Sequence, residues 1–353
     1  MTPYLIVLFI PLLLGILESI PGKIIREDKY IFLVFACILI VFIGFRSNGY
    51  DYESYYNIYT EVKSGIINKS WDPAFVIICK ICPSFHFMLL LMGGLSLIPL
   101  YWSIKHESPY FFFSLLIFTT TFLYPTIMGQ MRQWVTICLM LYAYYRWRNN
   151  KIRFILIWLF CCALHSSAPI ALLLLFSPKR LYSIKIYAAL IILALIVSSI
   201  LRPIFAPFVQ SLSILQDTAT ADRVAFYNAS ETEKGIVIGL NTAILIRIIT
   251  FALAFYILRA KSNTYASIIN IYFLAIFIYI LLGFIPQLGG RGSQYFVIFD
   301  CILIPCTLKY CRPLLRQVFA CFFILISLLR FYQFFNDSFN RDYYVPYQFE
   351  ILK

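Results

Sequence analysis

Charge is what this sequence has least of. Asp, Glu, Lys and Arg make up 13% of its 353 residues, where a soluble domain carries about a quarter. Together with 61% hydrophobic residues and a mean hydropathy of +0.83, that scarcity excludes an ordinary water-soluble domain. Acidic residues are scarcer than basic ones, 16 against 29. The surplus does not indicate nucleic acid, because Lys and Arg flank apolar blocks instead of clustering on a polar face. Histidine occurs only three times. Cys79 and Cys82 form a CxxC, but no second pair and no nearby His joins them, so neither a metal nor any other cofactor is expected. Most of the other cysteines lie inside apolar blocks and read as small buried hydrophobes. No period of 20 to 50 residues repeats, and no matching pair of broken helices occurs in two halves, which counts against a secondary transporter.

What is present is apolar sequence in blocks near the bilayer-spanning length of about 20 residues, separated by short charged stretches. The fold class expected is all-α: one polytopic transmembrane domain, 1–353, with about ten full spans. The spans read as 4–20, 30–45, 85–104, 110–128, 129–145, 186–201, 236–258, 264–285, 292–308 and 314–329. Block 4–20 has no basic region ahead of it and no small-residue cleavage site behind, and reads as a retained helix. Residues 153–179 are too short for two spans and carry His165, Ser166, Ser167 and Pro169 in the middle, so they read as a hairpin of two short helices. The long polar segments are 46–84, expected to hold amphipathic helices, and 202–235. With the 23–29 loop inside, 16 of the 29 basic residues fall in six short cytoplasmic loops. Both long segments and both termini then lie outside, as the positive-inside rule favours. Were the hairpin to cross as one long span, everything after it would invert and the count would read 15 inside against 13 outside.

Four constellations could carry chemistry. In Arg46-Ser-Asn-Gly49-Tyr-Asp51-Tyr52-Glu53-Ser-Tyr55, a guanidinium offers planar donors to phosphate oxygens and a carboxylate follows five residues on, with tyrosines suited to sugars. An interfacial aromatic belt is the competing reading. In Gly129-Gln-Met-Arg132-Gln133-Trp134, Arg132 adds a full charge at a helix N-terminus, a natural place for phosphate, or else anchors the span beside a belt Trp. His165 is the third. Helices of about 11 residues climb about 16 Å, so the hairpin turn should reach mid-membrane depth, where an imidazole could take a proton from a sugar hydroxyl or simply cap the turn. The fourth is Arg247 with Asp300, each near the centre of its span, where an ionised group costs about 2.5–3.5 kcal/mol on insertion scales. A mutual ion pair is the simplest account of those two. Arg291, in Pro286-Gln-Leu-Gly-Gly-Arg291-Gly-Ser, starts a span among glycines that leave room for a ligand, and reads as a second phosphate contact.

In this order along the chain, Arg46, Gly49, Asp51, Tyr52 and Tyr55, then Asp72-Pro73, Arg132-Gln133, His165 with its serines, and Arg291 resemble the EpsG family, related to the Wzy O-antigen and capsule polymerases. Tyr50 stands where that family often has Thr, and Asp72 where Glu is common. The resemblance implies a helical bundle with an outward cavity in a bacterial inner membrane. Its substrate would be an undecaprenyl-diphosphate-linked oligosaccharide, with membrane lipids around it and a chain-length regulator as a further partner. Arg46, Tyr52, Tyr55, Arg132, Gln133, Arg247 and Arg291 would then contact substrate, with His165 or Asp51 as base. A flippase for the same lipid-linked unit and a membrane O-acyltransferase are the alternatives from other classes.

Overall fold

The computed structural model describes residues 1–20, 29–68, 71–214, 241–283 and 286–350. The basic loop positions Lys23 and Arg26, most of segment 202–235 and the start of span 236–258 lie outside the described residues. Among those described, every regular element is helical. The chain divides into two compact units, Met1–Pro169 with Ile298–Lys353, and Ile170–Val297. Five stretches are long and apolar enough to cross a membrane: Thr2–Ser19, Phe85–Glu107, Ile184–Leu201, the 40-residue Thr242–Leu281, and Pro313–Asn336. The protein is therefore a helical, membrane-embedded chain; the described helices that meet the length and hydropathy of a full span are fewer than the ten expected.

In the first unit, α1 (Thr2–Ser19) packs on α6 (Phe111–Phe118). Glu18, buried at the end of α1, accepts a hydrogen bond of 3.0 Å from the Phe113 amide, so a carboxylate caps the positive end of α6 where free N–H groups collect. Helix α2 (Lys29–Gly44) packs on α5 (Phe85–Glu107), and α5 on α7 (Met131–Trp147). Between them in the chain, segment 46–84 holds two short helices, α3 (Tyr52–Lys63) and α4 (Pro73–Ile81). Their inner faces join Phe85, Met88, Met131, Val135 and Leu164 in one apolar cluster.

The expected span 110–128 is wound in two ways. After Phe118 the chain continues as a π-helix, Thr119–Ile127, so that the Met128 amide donates to Leu123, five residues back. Pro125 has no N–H to give the ordinary ladder, which favours the wider winding. Segment 153–179 holds most of α8 (Lys151–Leu164), a turn at His165–Ser167 and a 3-10 helix, Ala168–Phe176. Trp158 donates from Nε1 to the Ala168 carbonyl at 3.2 Å.

The second unit holds α9 (Ile184–Ile214), thirteen residues longer than the expected span 186–201 at its far end. A hairpin follows, of α10 (Thr242–Leu258) and α11 (Ser262–Leu281), joined by a single tight turn at Arg259–Lys261. Its 40 residues suffice for two crossings of about 20. The expected span 292–308 is instead two helices, α12 (Pro286–Val297) and α13 (Asp300–Tyr310), with α13 in the first unit. Pro286 starts α12 early, where its fixed φ suits a first helical turn. Asp300 opens α13, where a carboxylate favours a helix start. Asp300 therefore lies at a helix end and not at the centre of one continuous span. Helices α14 (Pro313–Asn336) and α15 (Ser338–Tyr344) and an extended tail complete the first unit.

Candidate active site

Helix α2 stops at Gly44 and the chain runs extended through 45–48, where it meets the C-terminal tail antiparallel. Arg46 bridges to Phe349, the Ser47 amide donates to Gln348 O at 3.0 Å, and the Glu350 amide to Phe45 O at 2.8 Å. Asn48 ties down the same tail by donating from Nδ2 to the carbonyls of Tyr344 and Pro346, both at 3.0 Å. Tyr347 stacks on Phe42 with ring centroids 4.4 Å apart. Gly49 then reverses the chain at φ +130°, and its carbonyl accepts from Tyr52 N to start α3.

This course turns the Arg46 side chain inward until none of it is exposed. Its Nη1 donates to Asn48 O at 2.8 Å and to Met128 O, the carbonyl that the π-helix delivers. The guanidinium lies 6.0 Å from the Tyr52 ring centroid. Burial lowers its pKa below the usual value, opposed most by Tyr344 and then Tyr55. Only glycine fits at position 49: φ is in the left-handed range, and an added Cβ would fall against Arg46 Nη1 and the Met128 carbonyl. Gly49→Ala should lower stability by about 1–3 kcal/mol, read as the thermal unfolding midpoint of the purified protein.

Arg132 opens α7, and its Nη1 is 2.5 Å from Asp72 Oδ2, with 19% and 12% of the two side chains exposed. Asp72 holds the N-cap position of α4, ahead of Pro73 at the first helical position, yet its side chain makes no cap hydrogen bond. It is turned to Arg132 instead. The guanidinium carbon lies 5.1 Å from the Phe75 ring centroid and 5.5 Å from that of Tyr55. Tyr55 is buried, edge-on to Phe75, and burial raises its hydroxyl pKa, offset mainly by the Arg132 charge to which it is hydrogen-bonded. Asp51 is close enough to act electrostatically on both Tyr55 and Arg132. The structure thus brings Arg46, Asp51, Tyr52, Tyr55, Asp72 and Arg132, from three separate stretches of sequence, into one part of the first unit. Gln133, on the next position, is 1% exposed and lies in the helix interior.

His165 ends α8 with extended backbone and is 9% exposed. Its Nδ1 is 2.8 Å from Ser167 Oγ and accepts from the Ser167 amide at 3.1 Å. Leu164, one residue before it, belongs to the apolar cluster that also contains Tyr55, Phe75 and Met131. His165 and Arg132 therefore leave the same core on adjacent residues.

Arg247 and Arg291 belong to the second unit. Arg247 lies with its guanidinium 5.1 Å from the Tyr279 ring, and Asn241 donates to the Tyr279 hydroxyl at 2.8 Å. Arg291 stands inside α12 and not at the start of a span. The glycines beside it divide in role. Gly289 is pressed against the Tyr279 and Leu282 backbone and Gly292 against Ile170, while Gly290 faces open space. Close helix packing, and not ligand access alone, accounts for that glycine run.

The tail contacts were missed in the sequence, although Tyr343-Tyr344-Val-Pro-Tyr347 is unusually aromatic for a free end. Tyr50 packs on it, 5.3 Å from both Phe339 and Tyr343. Tyr344 is buried, which pushes its hydroxyl up to about 12 against the lowering effect of Arg46. Cys79 and Cys82 are buried free thiols, and burial raises Cys79 to about 12. Among the described residues no three His, Cys, Asp or Glu side chains gather to hold a metal ion.

Comparison with curated proteins and with solved structures returned no match. The EpsG family matches over residues 29–349, nearly the whole chain, including all of the site residues above. The chain belongs to the EpsG family, which is associated with Wzy-like polysaccharide polymerases.

Proposed function

We propose that this protein polymerises polysaccharide repeat units carried on undecaprenyl diphosphate, at the outer face of a bacterial inner membrane. The observation that carries the reading is Arg132, a part-buried guanidinium beside the Phe75 and Tyr55 rings with its Nη1 on Asp72. A planar donor set suits a diphosphate. The growing chain enters with its diphosphate against Arg132. The non-reducing-end hydroxyl of a lipid-linked repeat unit attacks the anomeric carbon as the bond to the phosphate oxygen breaks. Undecaprenyl diphosphate leaves with the electron pair, and the acceptor proton passes to a base, for which Asp51 is the carboxylate at hand. Charge grows on the leaving oxygen as the bond breaks, so fixed positive charge there lowers the barrier most. Arg46 is enclosed and acts from behind, by holding the loop that presents Asp51 and Tyr52. No metal takes part in this scheme.

The test is purified protein in liposomes with lipid-linked repeat units and EDTA, followed by mass spectrometry of the lipid fraction. A ladder of longer glycans supports the reading. Unchanged glycans moved to the other leaflet would make the protein a flippase, and glycans of the same length carrying acyl groups an O-acyltransferase; either overturns it.

A further inference from the structure

Helix α4 is apolar on every side. Its nine residues, Pro73-Ala-Phe-Val-Ile-Ile-Cys-Lys-Ile81, include one polar side chain, that of Lys80. Ala74, Phe75, Val76, Ile78 and Cys79 are buried, yet Ile77 and Ile81 are 59% and 68% exposed, and Pro73 is exposed as well. Positions 73, 77 and 81 are each four apart, so the three lie in one stripe along the helix. A helix with water on its open side carries polar residues there, whereas one that is hydrophobic all round belongs in a core or in lipid.

Two helices serve as rulers for the level of α4. Its buried Phe75, Ile78 and Cys79 share an apolar cluster with Met88 of α5 and Leu164 of α8. Cations mark one end of the unit: the Arg146 guanidinium carbon lies 6.0 Å from the Trp102 ring centroid, one turn before Lys105, and Lys151 opens α8 after the short turn that follows α7. From Lys105 to Met88 along α5 the rise is about 26 Å, and from Lys151 to Leu164 along α8 about 20 Å. Both fall inside a hydrocarbon core of about 30 Å, and tilt would only shorten them. Helix α4 thus packs at a height that acyl chains still occupy. It packs on α8, whose Leu156, Leu159 and Phe160 are exposed, and Phe87 is exposed on the first turn of α5, so the apolar face continues on both neighbours. Lys63 Nζ donates to the Lys80 carbonyl at 2.9 Å. Two lysines therefore gather at the last turn of α4, where long basic side chains suit anionic headgroups.

We propose that α4 is immersed in the leaflet far from Lys105, with Pro73, Ile77 and Ile81 against phospholipid acyl chains and Lys63 and Lys80 among the headgroups. The Asp72–Arg132 pair, at the start of this helix, then lies at the rim of that leaflet and not out in bulk water. A phosphate anchored by a hydrocarbon chain reaches it without leaving the membrane. The proposal does not depend on the polymerase reading, because any lipid-linked phosphate would have the same access.

The test places the photoreactive residue p-benzoylphenylalanine at position 77 or 81 of the full chain, in nanodiscs of phosphatidylethanolamine and phosphatidylglycerol. After irradiation the intact protein is weighed. Each variant should gain the mass of one phospholipid, in a yield comparable with the same probe at Leu156, while a probe at Asn149, exposed in the turn between α7 and α8, should gain little. A crosslinked pair of chains from position 77 or 81 would mean that a second copy covers the stripe. No adduct at either position, beside a normal one at 156, would put the stripe in water. Either result overturns the proposal. Wild type answers the same question without any substitution, using a phospholipid that carries a diazirine midway along one acyl chain. Labels should map to residues 73–81 as well as to 152–160. Labelling of 152–160 with none on 73–81 would overturn the proposal too.

Discussion

Arg132→Ala is expected to lower the rate of glycan lengthening by about 10²–10³-fold, the usual consequence of removing one fixed charge or donor from a developing anion. The protein should remain folded. Asp72, left behind, sits at the N-cap of α4 with no cap hydrogen bond of its own, and its carboxylate can swing back to the free amides there. Arg132→Lys should recover little. A lysine brings charge without the planar fork that Arg132 sets beside Phe75, Tyr55 and Asp72. Asp72→Asn keeps the shape and weakens only the grip, so it should fall between wild type and Arg132→Ala. The check is the rate of ladder growth in liposomes for the four proteins, together with their gel-filtration profiles. Normal ladders from a well-folded Arg132→Ala would remove Arg132 from the site.

Arg46 should behave differently. Its guanidinium is wholly enclosed and its Nη1 holds two carbonyls, those of Asn48 and Met128. Arg46→Met has a similar volume and relieves the cost of burying a charge, yet it leaves both carbonyls without that donor. Each such loss costs about 1–3 kcal/mol, so a net destabilisation of roughly 2–4 kcal/mol follows after the relief of desolvation. Activity should then fall in proportion to folded protein. The comparison to make is specific activity per folded molecule alongside the thermal unfolding midpoint. A stable, folded Arg46→Met with a steep loss of turnover would return Arg46 to direct substrate contact.

The contrast between the two arginines marks what sequence can and cannot supply here. Hydropathy and block length suffice for a helical membrane protein, and the polar residues amid 153–179 are enough to place a turn at His165. Those signals are local. The joining of positions 46, 72 and 132 is not local, because nothing in a run of residues says which loop an arginine will face. Arg46 and Arg132 look alike in sequence, each beside an apolar block with tyrosines or tryptophan near. They part only when the Gly49 turn folds one inward and α4 brings an aspartate to the other. The 110–128 and 292–308 blocks show the same limit from the opposite side. Each is apolar on average and reads as one span, whereas Pro125 widens the winding of the first and Asp300 starts a new helix in the second. Hydropathy averages over such breaks, and the break in the first is what sends the Met128 carbonyl to Arg46.

The tail that lies along residues 45–48 carries a consequence for biogenesis. Tyr4 on the first helix donates to the Tyr344 carbonyl at 2.5 Å, and Arg46 pairs with Phe349, so residues far apart in sequence meet beside the loop that carries Asp51. Translation proceeds from one end, and these partners cannot meet until residues 344–349 have been made. A chain cut short before Tyr344 could form most of its helices and still lack the brace on residues 45–48. Synthesis through Phe349 thus becomes a condition for assembling that face.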